Sequence, residues 1–466
     1  MSPLPLAARL RAALGGALVR SPALGVAAAA VATPWDRLPG TRAERALAAA
    51  LAEARAAGSA RIEPVPGRVL LFNWWLAPGG AERQLVNTAA GLARRGGAAG
   101  IEQVRLALDS PSEGERPGVL SAELAAAGVP VEMLAEARVP EAVRRVAACL
   151  PARPAARMRR MAAAIAHHRP AVVHAWQDST AICAGLAAAC CDVPAIVLSG
   201  RNVSPRRFLY WRPWLRPALR ALAGIGAVRL VNNSAAGAQD YADWLGMPAG
   251  RIGVVRNGVA LAARDPAAEA EARRRLRAGL GVPEEARLIG SVFRLYPEKR
   301  PMLWVAAAAA YAARDRQAHF AVVGWGPLAG TMRAEARRSG IAGRLHLLPP
   351  STPVPDALAA MDAFLLTSDR EGTPNVVLEA QAAGLPVIAT EAGGAAEALR
   401  EARAAIAEAA PEAIAAALAA LLADPARLAA ARALGPSFVA GRFGIERMLD
   451  ETLAAYAPGL AGGSAT

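Results

Sequence analysis

The sequence predicts an α/β protein with two doubly wound parallel-sheet domains facing across a cleft. Short apolar runs bounded by turn residues alternate with helical patterns through most of the 466 residues. The alternation comes as two successive series, with a charged stretch between them. At about 100–200 residues per domain, the length suits two to three domains. Composition agrees. Hydrophobic residues make up 54% and charged residues 20%, which excludes a wholly disordered chain. Aromatics are only 5%, so alanine carries much of the apolar count, and alanine favours helix over an all-β sandwich.

Residues 1–66 read as a basic helical extension, with helix-like stretches at Leu6–Val19 and Arg42–Ala57. Leu6, Leu10, Leu14 and Leu18 form one stripe beside Arg9 and Arg11, so the first stretch is either a loosely packed arm or a membrane-surface helix. The first domain is expected over 67–260. It opens with an apolar strand, Arg68–Asn73, the turn Pro78-Gly79-Gly80 and a helix over Ala81–Arg95. Strands follow at Ala171–Ala175 and Ala195–Ser199, with the alanine-rich helix Ala181–Cys190 between them. Another strand, Arg229–Asn233, runs into Ser234, a helix N-cap. Ile252–Val255 ends at the turn Asn257-Gly258.

Residues 261–285 are charged and helical, with Arg273, Arg274, Arg275 and Arg277, and read as a linker. The second domain is expected over 286–435. Its strands are Leu288–Phe293, His319–Val323, Arg344–Leu348, Ala363–Thr367 and Pro386–Thr390. Its helices are Pro301–Ala313, Gly330–Ser339 and Pro374–Ala383. Ligands of such sheets bind beyond the carboxyl ends of the strands, so the cleft between the domains is the expected site.

The chain has 53 basic and 39 acidic residues, a net charge of +14. Such a surplus favours anionic partners. No nucleic-acid-reading module is recognisable, so nucleic acid is not an expected partner. The apolar run Ala23–Thr33 is far short of the roughly 20 residues that span a bilayer. No secretory signal is laid out in the usual order. Cys149, Cys183, Cys190 and Cys191 are too few for a disulfide framework, and none forms a CxxC pair. A reduced, cytoplasmic compartment is expected, and no metal site.

The densest chemical signal runs from Asp369 to Glu379. Thr373 is placed to cap a helix and Pro374 to begin it, directly after Gly372. A helix start at a strand's carboxyl end offers free amides and a dipole that favour a phosphate. Glu371 lies in the preceding loop and Glu379 in the second turn, so both can reach one elongated ligand. Carboxylates accept hydrogen bonds from sugar hydroxyls. Phosphates in the middle and hydroxyls at both ends describe a nucleotide sugar; the alternative is an ordinary capped helix with solvated glutamates. Arg294 and Lys299 flank a turn after the second domain's first strand, and two cations there can neutralise a leaving diphosphate. Lys299 is the single lysine among the 53 basic residues. Gly324 and Gly326 open another strand-to-helix loop, where a flat base could stack. The run Glu391–Glu397 is either a further anion site or a turn.

These residues resemble a known family. Glu371 to Glu379 is similar to the E-x7-E signature of retaining glycosyltransferases of family four, which have the GT-B fold of two Rossmann-like domains. Gly79-Gly80-Ala81-Glu82, Asn257-Gly258, Arg294 with Lys299, and Gly384-Leu385-Pro386-Val387 follow in the family's order over residues 67–458. The resemblance implies roles. Arg294 and Lys299 would hold the donor diphosphate, Glu371 the donor sugar and Glu379 the ribose. Amides of Gly372, Thr373 and Asn375 around Pro374 would meet the distal phosphate, and Gly80 would admit the sugar–phosphate linkage. His174 would lie at the cleft floor or be a buried, satisfied histidine. A last helix, 436–458, would cross back to the first domain. Two positions depart from the family: Trp176 and Phe293 stand where it often has histidine and glycine.

The expected function is metal-independent, cofactor-free retaining transfer from a nucleotide sugar to a glycan or lipid-linked acceptor in cell-surface polysaccharide or lipopolysaccharide synthesis. The alternative is another GT-B enzyme, such as an epimerase or phosphorylase. Arg201, Arg206, Arg207, Arg212 and Arg216 among Phe208, Tyr210, Trp211 and Trp214 compose an interfacial segment. That segment predicts acceptor handling and peripheral attachment to an anionic membrane surface.

Overall fold

The computed structural model describes residues 42–110, 119–208, 210–261 and 265–460. Two all-parallel sheets form the two domains. The first has seven strands: β1 (Val65–Asn73), β2 (Gln103–Leu108), β3 (Val131–Met133), β4 (Pro170–Trp176), β5 (Ala195–Gly200), β6 (Val228–Asn232) and β7 (Gly253–Val254). Their spatial order is β3-β2-β1-β4-β5-β6-β7. The second has six: β8 (Leu288–Val292), β9 (His319–Val323), β10 (Leu345–Leu348), β11 (Ala363–Leu366), β12 (Val387–Thr390) and β13 (Ala405–Ile406). Their order is β10-β9-β8-β11-β12-β13. Each sheet reverses direction once, between β1 and β4 and between β8 and β11. Loops on either side of such a reversal diverge and leave a crevice.

The strands are almost continuously apolar because helices cover both faces. Every residue of β4, β11 and β12 is buried. In the first domain, helices Gly80–Arg95 and Ile445–Leu460 share one face. Leu85, Leu92, Met448, Leu449 and Tyr456 pack there with Leu71 and Val172. The fit requires a glycine, since a Cβ at Gly91 would stand 2.6 Å from Leu449. Helix Ile445–Leu460 is therefore chemically part of the first domain, as the crossing expected for 436–458 implies, although it begins at Ile445.

Two expected boundaries move. Helix Arg42–Ala57 has the predicted ends but is not part of an extension. Leu47, Leu51 and Ala54, at i, i+4 and i+7, sit in the first domain's core. Glu44 pairs with Arg220 at 2.7 Å, and Ile62 N–H donates to Cys191 O at 3.1 Å. The stretch Leu6–Val19 lies outside the described residues. The charged stretch 261–285 is likewise no free linker. Asp265 caps the helix Pro266–Leu280, whose Arg277 is 1% exposed and bonds Asp362 at 2.6 Å plus the carbonyls of Pro283, Glu284, Ala286 and Ala360. That helix belongs to the second domain.

Among the described residues, no single helix is long and apolar enough to cross a membrane. The apolar pair Pro411–Leu422 and Pro425–Phe443 bends by 84° and sends Ile414, Leu418, Val439 and Phe443 into the second domain's core.

Arg277→Met should leave Asp362, whose side chain is 10% exposed, without its closer cation and with only Arg273 at 3.1 Å. The expected cost is about 3–5 kcal/mol, seen as a lower urea midpoint for the second domain. Arg277→Met with Asp362→Leu should recover much of that loss. An unchanged midpoint in the single variant would show that the pair is not structural.

Candidate active site

The two reversals face each other across the cleft. From the second domain, the loop after β8 brings Arg294 and Lys299, and the loop after β11 brings Ser368 to Asn375. The loops are tied together. Asp369 N–H donates to Glu298 O at 2.8 Å, Arg300 spans the carbonyls of Thr367 and Ser368 at 2.8 Å each, and Thr367 Oγ1 donates to Lys299 O at 3.0 Å. Lys299 Nζ is thereby held against Glu371 Oε1, which also accepts from Ser368 Oγ at 2.6 Å. Glu371 is 6% exposed, so one carboxylate oxygen is fully engaged in orienting the group. Arg294 is half exposed, 3.7 Å from Glu298, with its guanidinium over the Tyr296 ring.

Helix Asn375–Ala382 begins one residue later than its sequence suggests. Pro374 occupies the cap position, and no side chain caps this end. Thr373 does not cap it, because its hydroxyl donates to Asn233 O of the first domain. The first amides therefore stay open to an anion. Glu379, one turn on, is partly exposed, and burial raises its pKa against the opposing pull of Arg83.

Gly324 and Gly326 serve close backbone approach. A Cβ at Gly324 would stand 2.0 Å from Phe293 O, and one at Gly326 2.5 Å from Leu295 O. Phe293 turns its ring into the core, so the absence of glycine at that position leaves the loop's course intact. Trp325 between the glycines is 48% exposed and meets Tyr296 edge-on.

Buried amides clamp the domains together. Asn375 Oδ1 accepts from Gln84 Nε2 at 3.2 Å and from Asn257 Nδ2 at 2.6 Å, and Asn375 Nδ2 donates to Gly80 O at 3.0 Å. Gln84 closes a reciprocal pair with the Gly258 backbone at 2.8 and 3.0 Å. The Glu397 carboxylate accepts from the amides of Ala235 and Ala236, at the start of helix Ala235–Leu245. The run Glu391–Glu397 thus supplies an anion to the other domain. Ser234 caps the same helix, as expected, by accepting from Gly237 N–H. Gln84 and Glu397 were not foreseen as contacts, because a domain interface leaves no periodic signal in sequence.

Of the two readings of His174, the structure shows the buried, satisfied one. Its ring nitrogens lie 2.7 Å from Tyr456 Oη and 2.6 Å from Ser199 Oγ, its ring stacks on Trp176, and burial holds its pKa well below the usual value. It is a satisfied core histidine joining the last helix to the sheet. The 201–216 segment is tied down in part, with Arg207 and Arg212 exposed. Arg206 and Arg207 both pair with Asp240, Arg216 is buried and bonds Trp244 O, and Trp211 and Trp214 pack against the core. Arg370 of the donor loop lies over the Phe208 ring, so the segment faces the cleft. Arg201 bonds Asn257 across the site at 2.6 Å. Among the described residues, no group of three or more His, Cys, Asp and Glu converges as metal ligands.

Two doubly wound parallel sheets with facing switch points make the GT-B fold. Residues 78–263 match the family described as Glycosyltransferase Family 4, and residues 286–424 match Glycosyl transferases group 1. Each domain thus matches a glycosyltransferase family model over most of its length. Over 224 residues the chain is 36% identical to the Vi polysaccharide biosynthesis protein VipC/TviE of Salmonella typhi, covering 48% of this chain and 39% of that one. It is 35% identical over 246 residues to the D-inositol 3-phosphate glycosyltransferase of Thermobispora bispora, covering 49% of this chain and 56% of the relative. The chain thus spans about half or less of these relatives' length. The fold is similar to that of HepE from Anabaena in complex with UDP and glucose, with TM-score 0.66, 19% identity and coverage of 84% and 99%. It is also similar to WaaG, a glycosyltransferase involved in lipopolysaccharide biosynthesis, with TM-score 0.60, 18% identity and coverage of 83% and 98%.

Because burial raises the Glu379 pKa, the folded chain binds a proton that the unfolded chain has released. Stability then falls as pH rises through that interval. Glu379→Gln should raise the melting temperature of the ligand-free protein near neutral pH. The gain should vanish as pH falls below about 4, where both states are protonated. Equal melting temperatures near neutral pH would remove this account of Glu379.

Proposed function

We propose that the protein is a retaining, metal-independent glycosyltransferase. It moves a sugar from a nucleoside diphosphate sugar to a glycan or lipid-linked acceptor in cell-surface polysaccharide or lipopolysaccharide synthesis. The observation that carries this reading is the Lys299–Glu371 pair beside an uncapped helix start, with Glu379 one turn further on. The diphosphate lies between Arg294, Lys299 and the amides at Asn375 and Val376. Glu371 accepts hydrogen bonds from the donor sugar through its remaining lone pairs, and Glu379 accepts them from the ribose. Burial strengthens each of these contacts.

In the reaction the bond from the anomeric carbon to the phosphate oxygen breaks, and the electron pair leaves with the nucleoside diphosphate. Arg294, Lys299 and the helix amides stabilise that charge as it develops. A phosphate oxygen takes the proton of the acceptor hydroxyl, whose oxygen bonds the anomeric carbon on the same face. Cations and the helix dipole take the place of a metal. The relatives' names support polysaccharide or inositol phosphate acceptors, and the HepE complex supports a UDP donor. A cytoplasmic site at the inner membrane face accompanies a lipid-linked acceptor. Sedimentation with anionic vesicles tests that attachment, and a protein that stays in the supernatant points to a soluble acceptor.

A thermal-shift panel of UDP-, GDP- and ADP-sugars should single out one base, and no shift with any donor would sink the proposal. Glu379→Ala should weaken donor binding and Glu371→Ala should mainly lower turnover, each by about 1.5–3 kcal/mol. Arg294→Ala and Lys299→Ala should both weaken binding of the nucleoside diphosphate product. Unchanged product affinity in both would place the diphosphate elsewhere. Excess EDTA should leave turnover unchanged.

A further inference from the structure

Gln177 directly follows β4 and precedes helix Asp178–Cys190. Its backbone stands at φ 65° and ψ 136°. Residues with a side chain that reach positive φ settle at ψ of about 30–60°. Arg169 and Arg300 do so, both at ψ 55°. Gln177 lies well outside that region, in a conformation that only glycine adopts freely. It is also an unusual cap for the helix that follows. Its carbonyl accepts from Ala181 N–H at 2.7 Å, but its side chain makes no capping bond. Glycine would meet both demands better.

The side chain has a different partner. Gln177 Nε2 donates to Glu82 Oε1 at 2.7 Å. Glu82 stands in the first turn of helix Gly80–Arg95, after β1, and is 6% exposed. Its other oxygen lies against Gly79, where a Cβ would come within 2.3 Å of it. β1 and β4 are the neighbours at the reversal of strand order, so this hydrogen bond crosses the crevice between their loops. The next residue leads to the second domain. Gly80 O accepts from Asn375 Nδ2 at 3.0 Å, at the open helix start. One chain of contacts thus runs from the strained backbone through Glu82 and the Gly79-Gly80 loop to the amides that face an anion. The strain persists because two strand ends hold the hydrogen bond in place.

We propose that Gln177 is a positioning residue: its strained backbone aims the side-chain amide across the crevice at Glu82, whose carboxylate holds the Gly79-Gly80 loop against the sugar end of the donor. This rests on the transferase reading above and adds a residue that acts through another without touching substrate.

Titration calorimetry of the full chain tests it, with the nucleotide sugar singled out by the donor panel and with the matching nucleoside diphosphate. Gln177→Ala and Gln177→Gly should each bind the nucleotide sugar about tenfold more weakly, as expected for one lost hydrogen bond to a charged group. Affinity for the nucleoside diphosphate should not change. Gln177→Asn, whose amide is one methylene short, should lose as much as Gln177→Ala. Glu82→Ala should match these losses, and adding Gln177→Ala to it should weaken binding no further. Thermal melts read the backbone separately. Gln177→Gly should melt above Gln177→Ala, because alanine keeps the crowded Cβ and glycine does not. Full nucleotide-sugar affinity in Gln177→Ala overturns the proposal, as does an equal loss of nucleoside diphosphate affinity or a Gln177→Gly variant that melts no higher than Gln177→Ala. If the panel singles out no donor, the transferase reading falls instead.

Discussion

Asn375 is the side chain on which the two halves of the site depend. Its amide oxygen receives hydrogen bonds from two first-domain side chains, and its amide nitrogen reaches the Gly80 carbonyl. A carboxylate could accept but not donate there, and a hydroxyl is too short to span the gap. Because the amide is buried, each contact must be kept or exchanged for water. That fixes how near the Gly79–Gly80 loop comes to the open helix start. The spacing of these two loops is thus fixed in part by one amide.

Much of the fold was legible because parallel strands covered on both faces must be apolar, and their ends carry turn residues. Helix Arg42–Ala57 was placed to the residue. Its membership in the first domain was not, because a helix's stripe says that it packs but not on what. The linker failed for a related reason. Arginine clusters read as solvated, yet Arg277 is buried because Asp362 and four carbonyls, 6 to 85 positions away, accept its hydrogens.

The second domain's side of the site was more legible than the first's. Arg294 and Lys299 follow β8, and Glu371 and Glu379 follow β11, its neighbour at the reversal of strand order, so a doubly wound topology brings them together. Thr373 has the composition of a cap but is drawn away by a carbonyl of the other domain. The 201–216 segment has the composition of an interfacial belt. Arg206 and Arg207 share Asp240 and Arg216 turns to the Trp244 carbonyl, partners that composition cannot reveal.

The His174–Tyr456 contact has a consequence for how the chain is made. Strands β1 to β7 leave the ribosome long before Tyr456 exists. Until helix Ile445–Leu460 is synthesised, part of one face of that sheet is uncovered, and the imidazole lacks one of its two partners. The domain translated first is therefore the domain finished last. During the interval the whole second domain must fold beside an open apolar surface, which is the condition under which nascent chains recruit chaperones or aggregate.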